Sequence, residues 1–472
     1  MKKIIIFGSF ALALCGLIYS QVNISGEIHK TGEKPKIAVP DLRGVGDAQR
    51  LMATFNSTLS SELNNSGQLN IVPKTSYPLQ IPQQPADFRP HASGQNQGTW
   101  LADWSGPPVN ANYLAFGYTA VQNNQLVLYG WLYDVAQANT TSAQLIGKVY
   151  IGSLDEAGAR KVAQDFAADI LKQFGAVSLI GTRIYFVSDR TGHKEIWSMN
   201  YDGSDQKQFT SYRTITSFPA VSPDGAKIAF TTFPLLASSR ASADKLRSSI
   251  AEPRENLGQP QIYMHSLETG RKLVYYNQQA SMNAASDFMP DSRHLLIYSS
   301  AGGGYSVYMT DLDGGSIRRI THSGSIEVEP KANPKTGADI VFVSDRGGLP
   351  QIYRMNIDGT DVARLTTGEG EAVNPSWSPD GQHIAFAWTR GFEPGNYNIF
   401  IMDVATRDVV QLTHGAGRNE NPVWAPDGVH LVFSSKRGRS TEIYTMLANG
   451  TGVQQLTTQG NNEKPVWSRA TQ

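Results

Sequence analysis

Six glutamates, Glu327, Glu329, Glu369, Glu371, Glu420 and Glu463, fall in short polar stretches at or just before a recurring proline-rich motif. Carboxylates gathered in that way hold a divalent cation, attract a basic protein surface, or simply solvate a rim. Asp224, Asp291, Asp380 and Asp427 follow a proline and precede Gly or Ser, where a turn uses an Asx side chain. Asp189-Arg190 and Asp345-Arg346 close similar hairpins. Nine histidines are scattered singly, and no Gly-x-Ser-x-Gly, His-Glu-x-x-His or phosphate-binding glycine loop occurs. Cys15 is the only cysteine, which leaves no material for disulfides, thiolate catalysis or zinc-thiolate sites once a leader is removed. With 41 basic and 41 acidic residues, the chain has no cationic excess to carry it onto nucleic acid or an anionic membrane.

The elements that position these residues are repeats. PSWSPDG from Pro375 returns as PVWAPDG from Pro422 and PAVSPDG from Pro219, with weaker copies at Ser286 and Pro330 and a truncated PVWS at Pro465. Each copy continues with alternating runs such as His383–Trp388 and Asn398–Met402, then Val409–Thr413. Four short strands in roughly 45 residues make a propeller blade. The proline is expected to fix the chain direction after the innermost strand, Asp-Gly to supply the turn, and Trp377 and Trp424 to wedge between blades. The segment 181–212 matches strands two, three and four of a blade, and its missing first strand is the one left over at Pro465–Ser468. Residues 176–472 therefore read as an all-β six-bladed β-propeller closed by its C-terminal strand.

Residues 21–175 do not repeat and read as an N-terminal α/β domain. Strands are expected at Lys36–Pro40, Gln68–Val72, Tyr113–Thr119, Leu126–Tyr133 and Leu145–Ile151, and a helix at Asp47–Asn65. Ser153 and Glu156 suggest a capping box for a second helix, striped by Val162, Phe166 and Ile170. An extended polar arm, 21–34, precedes the domain. Lys2, Lys3 and the apolar run to Tyr19 read as a signal peptide, 1–20, that directs the chain to the periplasm, with an uncleaved anchor as the competing reading.

An exported α/β domain, P-x-W-S-P-D-G blades, a Phe186-Val-Ser-Asp-Arg190 opening and closure by a final Pro-x-Trp strand together resemble the TolB family over essentially the whole mature chain. That resemblance implies a non-enzymatic periplasmic hub of the Tol-Pal envelope system, which supports outer-membrane integrity and constriction at division. It implies two partners: a Pal-like peptidoglycan-associated lipoprotein on the propeller and a TolA-like inner-membrane protein on the arm. Carried over by position, the lipoprotein surface takes in Thr216, Ser217, Asn283, Glu327, Glu371, Arg418 and Glu420, and the arm contact Val22, Asn23 and Ile24. A monomer without cofactor, nucleic acid or membrane insertion after signal cleavage is expected. The chain departs from the pattern in an insertion, 235–257, between strands two and three of the second blade. Two other classes stay open at this level: a propeller that binds envelope glycan or peptide, and a propeller enzyme whose catalytic residues line the channel.

Overall fold

The computed structural model describes residues 34–90, 99–234, 258–275, 277–391, 395–415 and 417–468. The expected signal segment, arm residues 21–33 and the insertion 235–257 lie outside these residues.

The N-terminal sheet contains β1 (Lys36–Ala38), β2 (Arg43–Gly44), β3 (Asn70–Ile71), β4 (Tyr113–Gln122), β5 (Gln125–Asp134) and β6 (Gln144–Ser153), ordered β3-β1-β4-β5-β6 with β2 also on β4. Helices α1 (Met52–Asn65) and α2 (Glu156–Gln173) cover one face of it. Val162, Phe166 and Ile170 are fully buried there, as their spacing of four requires. The α2 cap is not the one expected. Asp155 accepts the Gly158 N–H at 2.7 Å, and Ser153 only donates to Asp155, because the helix begins at Glu156 rather than at the residue after Ser153. A 3-10 turn, Gly46–Leu51, leads into α1 where one continuous helix was expected.

Six four-stranded sheets follow, and all but one are contiguous in sequence. In blade 1 the inner strand is Asn462–Trp467 and its neighbours are Arg183–Ser188, Glu195–Asn200 and Lys207–Gln208. Blades 2 to 6 begin with Thr216–Val221, Asn283–Phe288, Glu327–Ala332, Ala372–Trp377 and Arg418–Trp424. Trp377, Trp424 and Trp467 are each at most 9% exposed and pack between their own blade and the one before. Pro223, Pro290, Pro379 and Pro426 follow the inner strands, as expected, while Pro219, Pro330, Pro375, Pro422 and Pro465 lie inside them. Each of the latter falls where the register with the second strand shifts, and a proline is tolerated there because a bulge leaves its missing N–H without a ladder partner.

Beyond the ladder, Arg183 and Ser468 exchange bonds of 2.9 and 2.8 Å, and the Trp467 indole donates to Thr182 at 2.9 Å. Arg190 reaches Asn462 at 3.0 Å, and Lys194 pairs with Glu463 at 2.6 Å. Inner strands run toward the Pro-Asp-Gly turns, so those turns and the strand three-to-four turns share one face of the ring. The N-terminal domain sits on that face. Glu62 of α1 accepts from Tyr201 and from Gln164, and the Asn65 carbonyl accepts from His430 at 2.8 Å.

Removing residues 460–472 is expected to lower the melting temperature sharply, and Trp467→Ala to cost about 3–5 kcal/mol, since a large buried side chain leaves a cavity; chemical denaturation checks both. At the domain contact, burial raises the Glu62 carboxyl above its ordinary 4.5, outweighing the hydrogen bonds from Tyr201 and Gln164. The folded chain then holds that proton more tightly than the unfolded one, so this group's contribution weakens as pH rises from 4.5 through the raised value. Glu62→Gln, which keeps an acceptor for Tyr201, is expected to raise the melting temperature at pH 7 by roughly 1–3 °C and to flatten its dependence across that window.

Candidate partner-binding face

The opposite face carries the loops that enter each inner strand and the strand two-to-three hairpins. Around its central opening the third residue of each inner strand, counted in the longer blade 6 strand from Asn419, is brought to the axis: Lys464, Phe218, Ala285, Glu329, Asn374 and Asn421. Five of these six adopt a left-handed backbone, with φ of 53° at Phe218, 54° at Glu329, 55° at Asn374, 52° at Asn421 and 51° at Lys464. A non-glycine residue there is strained, and the bulge beside the inner-strand proline imposes it. Blade 3 has Ser286 in place of that proline, and its rim residue Ala285 has no positive φ.

The opening is bonded along part of its circumference. Glu329 accepts from the Asn374 backbone and side-chain N–H groups at 2.8 and 2.9 Å, and the Asn421 N–H donates to the Asn374 side chain at 3.2 Å. Diametrically opposite Glu329, the Lys464 ammonium lies 4.2 Å from the Phe218 ring centre. Further out, Arg418 pairs with Glu420 at 2.5 Å, and Tyr397 donates to Glu371 at 2.5 Å. Burial, then the Glu371 carboxylate, push the Tyr397 phenol up, so it stays a donor at any physiological pH.

The expected acidic ring is thus neutralised in part by its surroundings. Glu420, Glu463 and Glu327 each have a cation, Arg418, Lys194 and Arg346 respectively, and Glu329 and Glu371 take neutral donors. Sequence spacing could not show this, because every cation except Arg418 arrives from a different strand or hairpin.

Of the seven carried-over propeller positions, Glu371, Arg418 and Glu420 reach the surface. The other four do not. Glu327 is 0% exposed, accepts from Ser323 at 2.7 Å and is ion-paired to Arg346. Thr216 faces Thr232 at 3.2 Å, Asn283 accepts from Ser299 at 2.8 Å, and Ser217 is 6% exposed. These four side chains anchor the outer end of an inner strand and lack the exposure a contact needs. Asn419 and Asn462 hold the same register and are buried alike, so the strand's first side chain points into the blade throughout. Of the residues that do line the opening, Glu329 was expected only as a member of the acidic ring, and Asn374, Asn421 and Lys464 were not expected; the inner-strand proline that follows each is the signal that marks them. Val22, Asn23 and Ile24 lie outside the described residues, as do Arg240, Lys245 and Arg247 of the insertion. The described residues next to that insertion, Pro234 and Gly258, are joined by a 2.7 Å bond, which puts its base on this face. Among the described residues no three His, Cys, Asp or Glu side chains are grouped to hold a metal ion.

A six-bladed propeller closed by its C-terminal strand, with an α/β domain on one face and a polar, strained opening on the other, defines a two-domain propeller protein. A family model described as the TolB beta propeller domain matches residues 248–392 and 369–472. A curated TolB homolog of Chlorobaculum tepidum is 31% identical over 328 residues, 67% of this chain and 65% of that protein. The Tol-Pal system protein TolB of Desulfosudis oleivorans is 31% identical over 217 residues, 46% of this chain and 42% of the relative. The matches span from under half to about two thirds of the curated relatives' own length. The crystal structure of TolB from Acinetobacter baumannii shares the fold, with a TM-score of 0.69 at 24% identity over 93% of this chain and 97% of that one. The chain belongs to the TolB family.

Breaking the buried Glu327–Arg346 pair with Glu327→Ala is expected to cost about 3–5 kcal/mol. Glu371→Gln and Glu420→Gln are expected to change stability by less than about 1 kcal/mol. Thermal unfolding of the three variants separates anchor from surface.

Proposed function

We propose that the chain is a periplasmic scaffold of the Tol-Pal system that works by binding proteins and catalyses no reaction. The observation that carries this reading is the pairing of a TolB-family chain with one propeller face taken by its own α/β domain and the other open and polar. A Pal-like peptidoglycan-associated lipoprotein docks on the open face, touching Glu371, Arg418 and Glu420 and the rim around Glu329, Asn374, Asn421 and Lys464. A TolA-like inner-membrane protein takes the arm at Val22, Asn23 and Ile24. Bound at both ends, the chain couples the envelope layers, supporting outer-membrane integrity and constriction at division. Among the described residues no helix is long and apolar enough to cross a membrane.

Because Glu420 is already neutralised by Arg418, specificity rests on hydrogen bonding and shape at the rim more than on net charge. Surface plasmon resonance with the purified lipoprotein is expected to show saturable binding. The Glu371→Gln, Glu420→Gln double variant is expected to slow association by roughly three- to tenfold at low ionic strength, with the difference shrinking as salt rises. Binding that survives substitution of the whole rim would place the partner on another face.

A further inference from the structure

Below the opening the channel widens into a chamber of about 450 Å³, floored by Val177 and Ser178 of the segment that joins the two domains. That volume falls in the range of roughly 300–1,000 Å³ found for small-molecule sites. Its wall is set by register. The fifth residue of each inner strand, counted in blade 6 again from Asn419, faces the axis, giving in ring order Val466, Ala220, Asp287, Lys331, Ser376 and Val423. Two adjacent blades thus contribute opposite charges, and the other four contribute three apolar side chains and one serine.

The two charges do not close on one another. Lys331 donates to the Ser286 carbonyl at 2.5 Å, and one Asp287 oxygen accepts the Ala332 N–H at 2.9 Å, with no direct ion pair between them. Lys331 therefore keeps two N–H donors with no protein partner, and Asp287, which also has the Phe288 N–H beside it, keeps acceptor capacity for a group in the chamber. Burial raises the Asp287 carboxyl above the ordinary range, and the Lys331 ammonium only partly opposes that, so the carboxylate is short of positive charge. Both residues are half-buried on the chamber wall, so their remaining hydrogen-bonding capacity is open to whatever fills the chamber. A lone cation is disfavoured by the lysine, and a lone anion by the aspartate. A ligand carrying both charges satisfies both.

We propose that this axial chamber binds a small zwitterion, a free α-amino acid or a short peptide, with its ammonium at Asp287, its carboxylate at Lys331 and its apolar body against Val423, Val466 and Ala220. The site is separate from the partner face and does not depend on the scaffold reading. It gives the propeller axis a ligand of its own.

Saturation-transfer NMR and calorimetry on the full mature chain test this with L-leucine and L-alanyl-L-alanine as probes and uncharged N-acetyl-L-leucine amide as control. Saturable millimolar binding of one or both zwitterions is expected, with the control at least tenfold weaker; which zwitterion binds tells amino acid from peptide. Asp287→Asn and Lys331→Met are each expected to weaken binding tenfold or more. Both residues also bond to a neighbouring blade, so Val423→Trp, which fills the chamber from its apolar side, is the second variant and is expected to abolish binding with the melting temperature kept. Absence of saturable binding of either zwitterion, equal binding of the uncharged control, or binding untouched by Val423→Trp would overturn the proposal.

Discussion

Everything on the propeller depends on one strand pairing that spans almost the whole domain: Asn462–Trp467 against Arg183–Ser188. It joins the end of the chain to the beginning of the ring and supplies the only inner strand that blade 1 has. The outcome is a closed ring of six separate four-stranded sheets, so the inner strands of six blades are held at fixed radius. Side chains confirm the closure at both ends of the strand: Trp467 fills the wedge against blade 6, and Asn462 is gripped by Arg190 and Glu442. Because the ring is closed, the third and fifth residue of every inner strand become neighbours across the channel though they are tens to hundreds of residues apart in sequence.

The two faces are unequal for a simple reason. Pro-Asp-Gly turns are short and self-bonded, as Asp427 shows by accepting the Val429 and His430 N–H groups, and they make a firm platform. The α/β domain meets it through Asn65, which His430 reaches while held at 2.6 Å by Asp427, and meets the strand three-to-four turn of blade 1 through Glu62 and Gln164 on Tyr201. The other face carries the strand-entry loops and hairpins, which vary in length and bear the insertion. Loops that vary on a rigid frame are where recognition is built.

Charge at that face is organised as pairs and not as a field. Arg346 and Glu327 are enclosed, while Arg418–Glu420 and Lys194–Glu463 lie at the rim. Enclosed pairs hold geometry, and rim pairs are open to exchange with a partner's charges. The strained left-handed residues at the opening serve the same end, since they turn Glu329, Asn374, Asn421 and Lys464 toward the axis instead of along the blade.

The six-fold repeat, the closure by a C-terminal strand, the wedge tryptophans and the α/β domain were all legible in the sequence, because each follows from local periodicity, from turn chemistry or from a motif copied several times. What the sequence could not decide was direction and partnership. Glu327 and Glu329 are two residues apart on one strand, yet one is sealed against Arg346 and the other looks into the channel. The reason is the bulge at Pro330, which breaks strict alternation just where the strand meets the axis. The α2 cap shifted from Ser153 to Asp155 through an equally small change in where the helix begins. The juxtaposition of Asp287 and Lys331 on a chamber wall exists only once the ring is closed, since nothing in the residues between them brings two neighbouring blades to one axis.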